Sequence, residues 1–190
     1  MIKTYIGPMF SGKTNTALTV YKKIWNKSNI VCFKPKIDTR DYGLIKSRDF
    51  QEGIPAICIE RLEEILNHIS PNTKTIFIDE AQFLVGSYRV LSYLSIVKDI
   101  DIHIVGLNLD VNQEPFGIMP QILAISDEIH HIKAVCYDCN KDAEFTYYDG
   151  EYKGIEVGDN NYLPLCRKCL IKRLGPQKIS ERYKLILRAK

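Results

Sequence analysis

The stretch Gly7-Pro-Met-Phe-Ser-Gly-Lys-Thr14 constrains this chain more than any other. Its spacing is G-x-x-x-x-G-K-[ST], the pattern of a phosphate-binding P-loop. Such a loop requires a strand before it and a helix after it, because backbone N–H groups and a helix N-terminus cradle the phosphate oxygens. Both flanks comply. Residues 3–7 read as a short strand, and residues 12–27 as a helix with Ala17, Leu18, Tyr21, Ile24 and Trp25 at helical spacing. Gly7, Pro8, Met9, Phe10, Ser11, Gly12, Lys13 and Thr14 are thus the expected ATP cradle. Lys13 would reach the β- and γ-phosphates, and the Thr14 hydroxyl would contact Mg²⁺. A chance match to the pattern is the alternative.

A second element completes a phosphate machine. The apolar run Thr75-Ile-Phe-Ile78 ends in Asp79 and Glu80. An acid at such a strand end holds Mg²⁺ in P-loop proteins, which is the expected role of Asp79. Glu80 follows directly and is the candidate catalytic base, able to accept a proton from an attacking hydroxyl or water. Gln82 is grouped with the nucleotide-binding residues. The bland reading of Glu80 is a surface acid at a strand end.

Around these motifs, strands and helices alternate. Residues 29–35, 54–60, 73–80 and 100–108 read as strands, and 61–69 and 86–99 as helices. The polar segment 38–53 reads as a long loop, and 109–117 as a turn-rich loop. This alternation predicts a parallel sheet covered on both faces, an α/β fold. Its 190 residues, 45% hydrophobic, suffice for one sizeable core and a small module. A net charge of +3 argues neither for nor against a nucleic-acid partner. No apolar run approaches the roughly 20 residues that span a bilayer. The N-terminus lacks the features of a secretory signal, so a cytoplasmic location is expected.

The pattern changes at Cys136. Cys136-x-x-Cys139 and Cys166-x-x-Cys169 form a four-thiolate set, the donor number tetrahedral zinc prefers. With no position left for water, the site would be structural; iron–sulfur ligation is the weaker alternative. The segment between the pairs reads as short strands, giving a small zinc-stapled β module. Cys32 and Cys58, alone in apolar surroundings, read as small hydrophobes. The expected division is a P-loop domain over 1–134, a zinc module over 135–176 and a basic tail over 177–190.

These residues resemble a known family. The segments GPMFSGKT, KPKIDTR, IDEAQF, EPFG, KAVCYDC and CRKC occur in the order and spacing of the type II, zinc-containing thymidine kinases, from about Ile2 to Cys169. The resemblance implies transfer of the ATP γ-phosphate to the 5′-hydroxyl of thymidine. It also implies a lasso loop from the zinc module over the nucleoside, a homotetramer, and feedback by dTTP. Carried over one residue at a time, Glu80 matches the catalytic base, and Asp38 and Arg40 match residues near the phosphates and sugar. Phe83 matches an aromatic of the base pocket, and Met9 and Leu107 match apolar pocket positions. Thr146 matches a side chain that hydrogen-bonds thymine. Tyr162 matches the lasso tyrosine, and Val157 and Gly158 match lasso positions whose backbone meets the pyrimidine. Without the family, Phe83 and Tyr162 read as core or rim aromatics, Met9 as gap-filling and Arg40 as a solvated charge.

Departures fall in two places: segment 45–53 lacks the Ser-His element of many members, and the rest lie in the 106–117 loop. Val111 stands where the family usually has an aromatic, with Phe116 nearby to fill the space. Asn108 replaces a common Asp, and the vicinity of Asn112 lacks a frequent Arg. Weaker nucleoside binding is expected. Two rival readings are a P-loop ATPase acting on nucleic acid and a non-catalytic nucleotide-binding regulator. The first lacks a stripe of basic residues with interleaved aromatics, and no nucleic-acid or membrane partner is expected. Lys13, Thr14, Asp79 and Glu80 argue against the second.

Overall fold

The computed structural model describes residues 1–26, 29–47, 50–150 and 161–184. Strands β1 (Ile2–Ile6), β2 (Ile30–Pro35), β5 (Ile57–Ile59), β6 (Thr75–Ile78), β7 (Asp101–Gly106) and β8 (Glu128–His131) form one sheet in the order β5-β2-β6-β7-β1-β8. All five pairings are parallel. Strands inside a parallel sheet are buried on both faces, which explains the apolar runs of β6 and β7, whereas the edge strand β8, Glu-Ile-His-His, is mostly exposed.

Helix α1 (Lys13–Ile24) covers one face, where Ala17 and Leu18 meet Tyr5, Cys32, Phe77 and Val105. Helices α2 (Arg89–Ile96) and α3 (Met119–Ala124) cover the other with a 3₁₀ turn, Leu62–Asn67. The α/β layering expected from the sequence is present.

Three local expectations change. Residues 38–53 are not wholly a loop. They contain an antiparallel hairpin of β3 (Leu44–Ser47) and β4 (Phe50–Pro55), and Ile45 and Ile54 close the core over α1. The expected helix over 61–69 is the 3₁₀ turn. Leu62 and Ile65, three apart, both point into the core, which suits three residues per turn. Helix α2 is shorter than 86–99 because both its flanks are bent. Gly86 has φ +108, and a Cβ there would fall 2.2 Å from Glu63 Oε2. Asp99, at φ +54, turns the chain into β7. Cys32 is buried in the core, whereas Cys58 is only half-buried.

The second core is small. Strands β9 (Ala134–Val135) and β10 (Asp142–Ala143) pair, as do β11 (Phe145–Tyr148) and β12 (Tyr162–Leu165), both antiparallel. Ala134, Cys136, Ala143, Phe145, Leu165 and Leu170 form its buried cluster, with Leu109 of the P-loop core packed against it. Helix α4 (Arg167–Arg182) follows and kinks at Gly175, just before Pro176, whose ring nitrogen has no hydrogen to donate.

Candidate active site

The site lies at the C-terminal ends of the sheet strands, where β1 opens into residues 7–12. Gly7 is required by close approach, since a Cβ would lie 1.9 Å from the Ile132 carbonyl oxygen. The loop then enters α1, whose N-terminus offers unpaired N–H groups and a partial positive charge. Lys13 is buried, its ammonium donating to the Pro8 carbonyl at 2.7 Å and lying 3.5 Å from the Ser11 hydroxyl. Burial pushes its pKa down to about 8 against the opposing pull of Glu80 and Asp79. A buried cation held mainly by neutral oxygens is a ready partner for an anion.

The Thr14 hydroxyl donates to Asp79 Oδ1 at 3.4 Å. Two oxygen donors side by side fit a hard divalent cation such as Mg²⁺. Burial, and then the neighbouring Glu80 charge, raise the Asp79 pKa to about 7. A cation bound there would offset both causes.

Glu80 has φ +50 and ψ +40, the left-handed region that a side chain rarely occupies. The conformation is fixed from both sides. Arg40 Nη2 donates to Glu80 Oε1 at 2.7 Å, and Gln82 Nε2 donates to Oε2 at 2.6 Å. Gln82 Oε1 accepts the Leu107 N–H at 3.0 Å, so the buried amide ties the end of β6 to the end of β7. Arg40 forks onto Asp38, Nε to Oδ1 at 2.8 Å and Nη2 to Oδ2 at 3.2 Å. Burial works to raise the Asp38 pKa, but Arg40 and Lys34 hold it below the usual carboxylate value. Burial works against the Arg40 charge too, yet Asp38 and Glu80 raise its pKa above the arginine norm.

The expected pocket aromatics come together in part. Phe83 and Phe116 meet edge to face, centroids 5.4 Å apart. Tyr162 is buried edge-on to Tyr148 at 5.1 Å. The Thr146 hydroxyl accepts the Met9 N–H at 3.0 Å, joining the four-cysteine module to the P-loop. Val111 sits in a separate turn, closed by the Asp110 carboxylate, which accepts the N–H of Asn112 at 2.8 Å and of Glu114 at 2.9 Å. Arg182 of α4 donates to Gln113 and Asn112 of this turn. Val157 and Gly158 lie outside the described residues.

Sequence reasoning missed Lys34, which is 2% exposed and pairs with Asp38. The available signal was a lysine inside an otherwise apolar strand. Arg182 was also missed, and only its place in a basic tail could have drawn attention.

The sulfurs of Cys136, Cys139, Cys166 and Cys169 all lie within 4.8 Å of one another. Cys139 Sγ and Cys166 Sγ are 3.7 Å apart. A tetrahedral zinc with Zn–S near 2.3 Å implies sulfur separations of roughly 3.8 Å. The four thiolates can hold that ion without rearrangement of the fold.

The family model described as thymidine kinase matches residues 1–170. A thymidine kinase of Mycoplasma genitalium is 39% identical over 145 residues, covering 74% of this chain and 66% of that protein. One of onion yellows phytoplasma is 38% identical, covering 88% of this chain and 85% of the relative. One of Porphyromonas gingivalis is 32% identical, covering 97% and 92%.

Proposed function

This chain belongs to the thymidine kinase family, and we propose how its residues divide the work of that family's reaction. The γ-phosphate of ATP passes to the 5′-hydroxyl of thymidine, giving dTMP. Family membership sets aside the nucleic-acid ATPase and the non-catalytic regulator.

In our reading, residues 7–14 bind the triphosphate through backbone N–H groups. Lys13 lies against the β- and γ-phosphates, and its buried ammonium offsets their charge. Thr14 and Asp79 would hold Mg²⁺, which supplies further charge neutralisation at the phosphates. Glu80 accepts the proton of the attacking 5′-hydroxyl. An ionised carboxylate has about four lone-pair sites. Arg40 and Gln82 occupy two of them, so others remain for the substrate hydroxyl. Phe83 and Phe116 wall the base, with Met9, Leu107 and Val111 nearby. Thr146 already accepts the Met9 N–H, which leaves its hydroxyl proton to donate toward thymine.

Zinc on the four cysteines holds the module that carries Thr146 and Tyr162. We read 1–134 and 135–176 as the working units and 177–190 as a tail. Val157 and Gly158 complete the nucleoside cover. A homotetramer, dTTP feedback and a cytoplasmic setting belong to the same proposal. No helix among the described residues is long and apolar enough to cross a membrane.

The observation that carries this reading is the Glu80 carboxylate, fixed next to Asp79 by Arg40 and Gln82. The test is Glu80→Gln, assayed for thymidine phosphorylation and, separately, for ATP binding. ATP binding stays within experimental range of the parent, and kcat falls by about 100- to 10,000-fold, the usual cost of losing a general base. A near-normal kcat rules Glu80 out.

A further inference from the structure

Lys34 is the anomaly of the sheet interior. It lies in β2 between β5 and β6, beside the fully buried Phe33, yet it carries a charge. A buried ammonium is tolerated only when its donors are satisfied. Lys34 has three donors and three sets of partners. It reaches the Asp41 carbonyl at 3.0 Å, the Leu44 carbonyl at 3.1 Å and Asp38 Oδ2 at 3.2 Å. The two carbonyls close the turn that leads into β3. The carboxylate is the start of a different path.

Asp38 is 3% exposed and engages Arg40 through both oxygens. Arg40 in turn donates to Glu80. The charges therefore alternate, Lys34–Asp38–Arg40–Glu80, with separations of 3.2, 2.8 and 2.7 Å. The path begins on a rigid central strand and ends on a carboxylate whose backbone sits in the left-handed region. Such a conformation persists only where its surroundings hold it.

We propose that Lys34 is a positioning residue for phosphoryl transfer: it fixes Asp38, and through Asp38 and Arg40 it sets where the Glu80 carboxylate stands. The inference rests on the reading of Glu80 as the base. Lys34 touches neither nucleotide nor nucleoside in this scheme. Its effect is on the chemical step, not on ATP affinity, because small misplacements of a reacting group are costly.

The test is a double-mutant cycle in the full chain with Lys34→Met, Asp38→Asn and the double variant. Measured are kcat and the KM for ATP and thymidine, with a melting curve for each variant. Lys34→Met should lower kcat by about 10- to 100-fold, the scale of a misplaced catalytic group, and leave the KM for ATP within about threefold. In the Asp38→Asn background the same substitution should cost less than about threefold, since contacts that share a network are non-additive. Independent, multiplying effects overturn the proposal, because they mean that Lys34 acts only by holding the turn carbonyls. Lys34→Gln is the second variant and replaces Lys34→Met in the cycle if that protein does not fold. Its amide can still donate to those carbonyls but brings no charge to Asp38. It should lose kcat as Lys34→Met does, and wild-type turnover in Lys34→Gln overturns the proposal. Failure of the base reading is seen separately, as retained turnover in Glu80→Gln, and leaves the Lys34–Asp38 coupling measurable.

Discussion

Val111 stands in the turn between Leu109 and Pro115, at the position where the family resemblance leads one to expect an aromatic ring. Its own side chain is only half-buried. Phe116 meets Phe83 edge to face rather than filling the place of Val111. Aromatic stacking contributes roughly 0.5–1.5 kcal/mol beyond area burial. Val111→Phe should therefore lower the KM for thymidine by up to about tenfold, 1.4 kcal/mol being one decade, with kcat unchanged. Steady-state kinetics over a thymidine series checks this. A raised KM means that the pocket is filled by another residue and that Val111 does not occupy the aromatic's place. At this same scale, what sequence reading could propose was what lies close together in the chain. The P-loop and the Asp79-Glu80 pair are contiguous, and their spacing dictates their chemistry. It passed over Lys34 because the proposed role depends on Asp38 and Glu80 arriving from separate segments, which no local pattern encodes.

Among elements, legibility followed how completely each one is buried. The interior sheet strands announce themselves because both faces are covered, whereas the exposed edge strand β8 has no apolar run and was not read. The β3–β4 hairpin reads as loop because, among its described side chains, only Ile45 and Ile54 join the core. The 3₁₀ turn Leu62–Asn67 has a short apolar pattern that also fits an α-helix. Its entry is fixed by the Glu64 carboxylate, which accepts the N–H of Glu60 at 2.9 Å and of Arg61 at 2.8 Å. The four-cysteine cluster was legible from the two C-x-x-C pairs alone, and the small core around it explains why a staple is expected there. A buried set built from Ala134, Cys136, Ala143, Phe145, Leu165 and Leu170 is too small to stand without a staple. We expect about one zinc per chain, as four thiolates make one tetrahedral site. Cys166→Ser should lose that zinc and loosen Thr146 and Tyr162, raising the KM for thymidine while ATP binding by the P-loop persists. Elemental analysis with parallel ATP and thymidine titrations reads both effects. Unchanged thymidine binding in a zinc-free variant would show that the module does not shape the pocket.

At the scale of the whole molecule, the two cores are joined by polar and apolar contacts together. Met9 meets Thr146, Leu109 packs into the zinc module, and Arg182 returns from α4 to the 108–115 turn. The sheet beneath them carries a titratable group that links global stability to pH near neutrality. His103 of β7 is 6% exposed, stacked on Phe77 with centroids 4.5 Å apart. Its Nδ1 lies 3.1 Å from the Tyr5 hydroxyl. Burial lowers its pKa to about 4, from the usual 6.5. Lys3 and His130 work in the same direction, and Asp101 and Glu128 work against it. As pH falls below 6.5, the unfolded chain takes up the imidazole proton and the folded chain does not. Stability is thus complete above 6.5, falls through the interval down to 4, and has no further His103 contribution to lose below it. Between pH 6.5 and 5 the loss should be about 2 kcal/mol by proton linkage. Urea unfolding of the parent and of His103→Gln at pH 7 and pH 5 measures it. Glutamine can still accept a hydrogen bond from the Tyr5 hydroxyl but takes up no proton. The parent should lose about 2 kcal/mol more than the variant over that interval. Equal losses in the two proteins would mean that protonation of His103 is accommodated in the folded sheet, and that the acid sensitivity of the molecule originates in its carboxylate network.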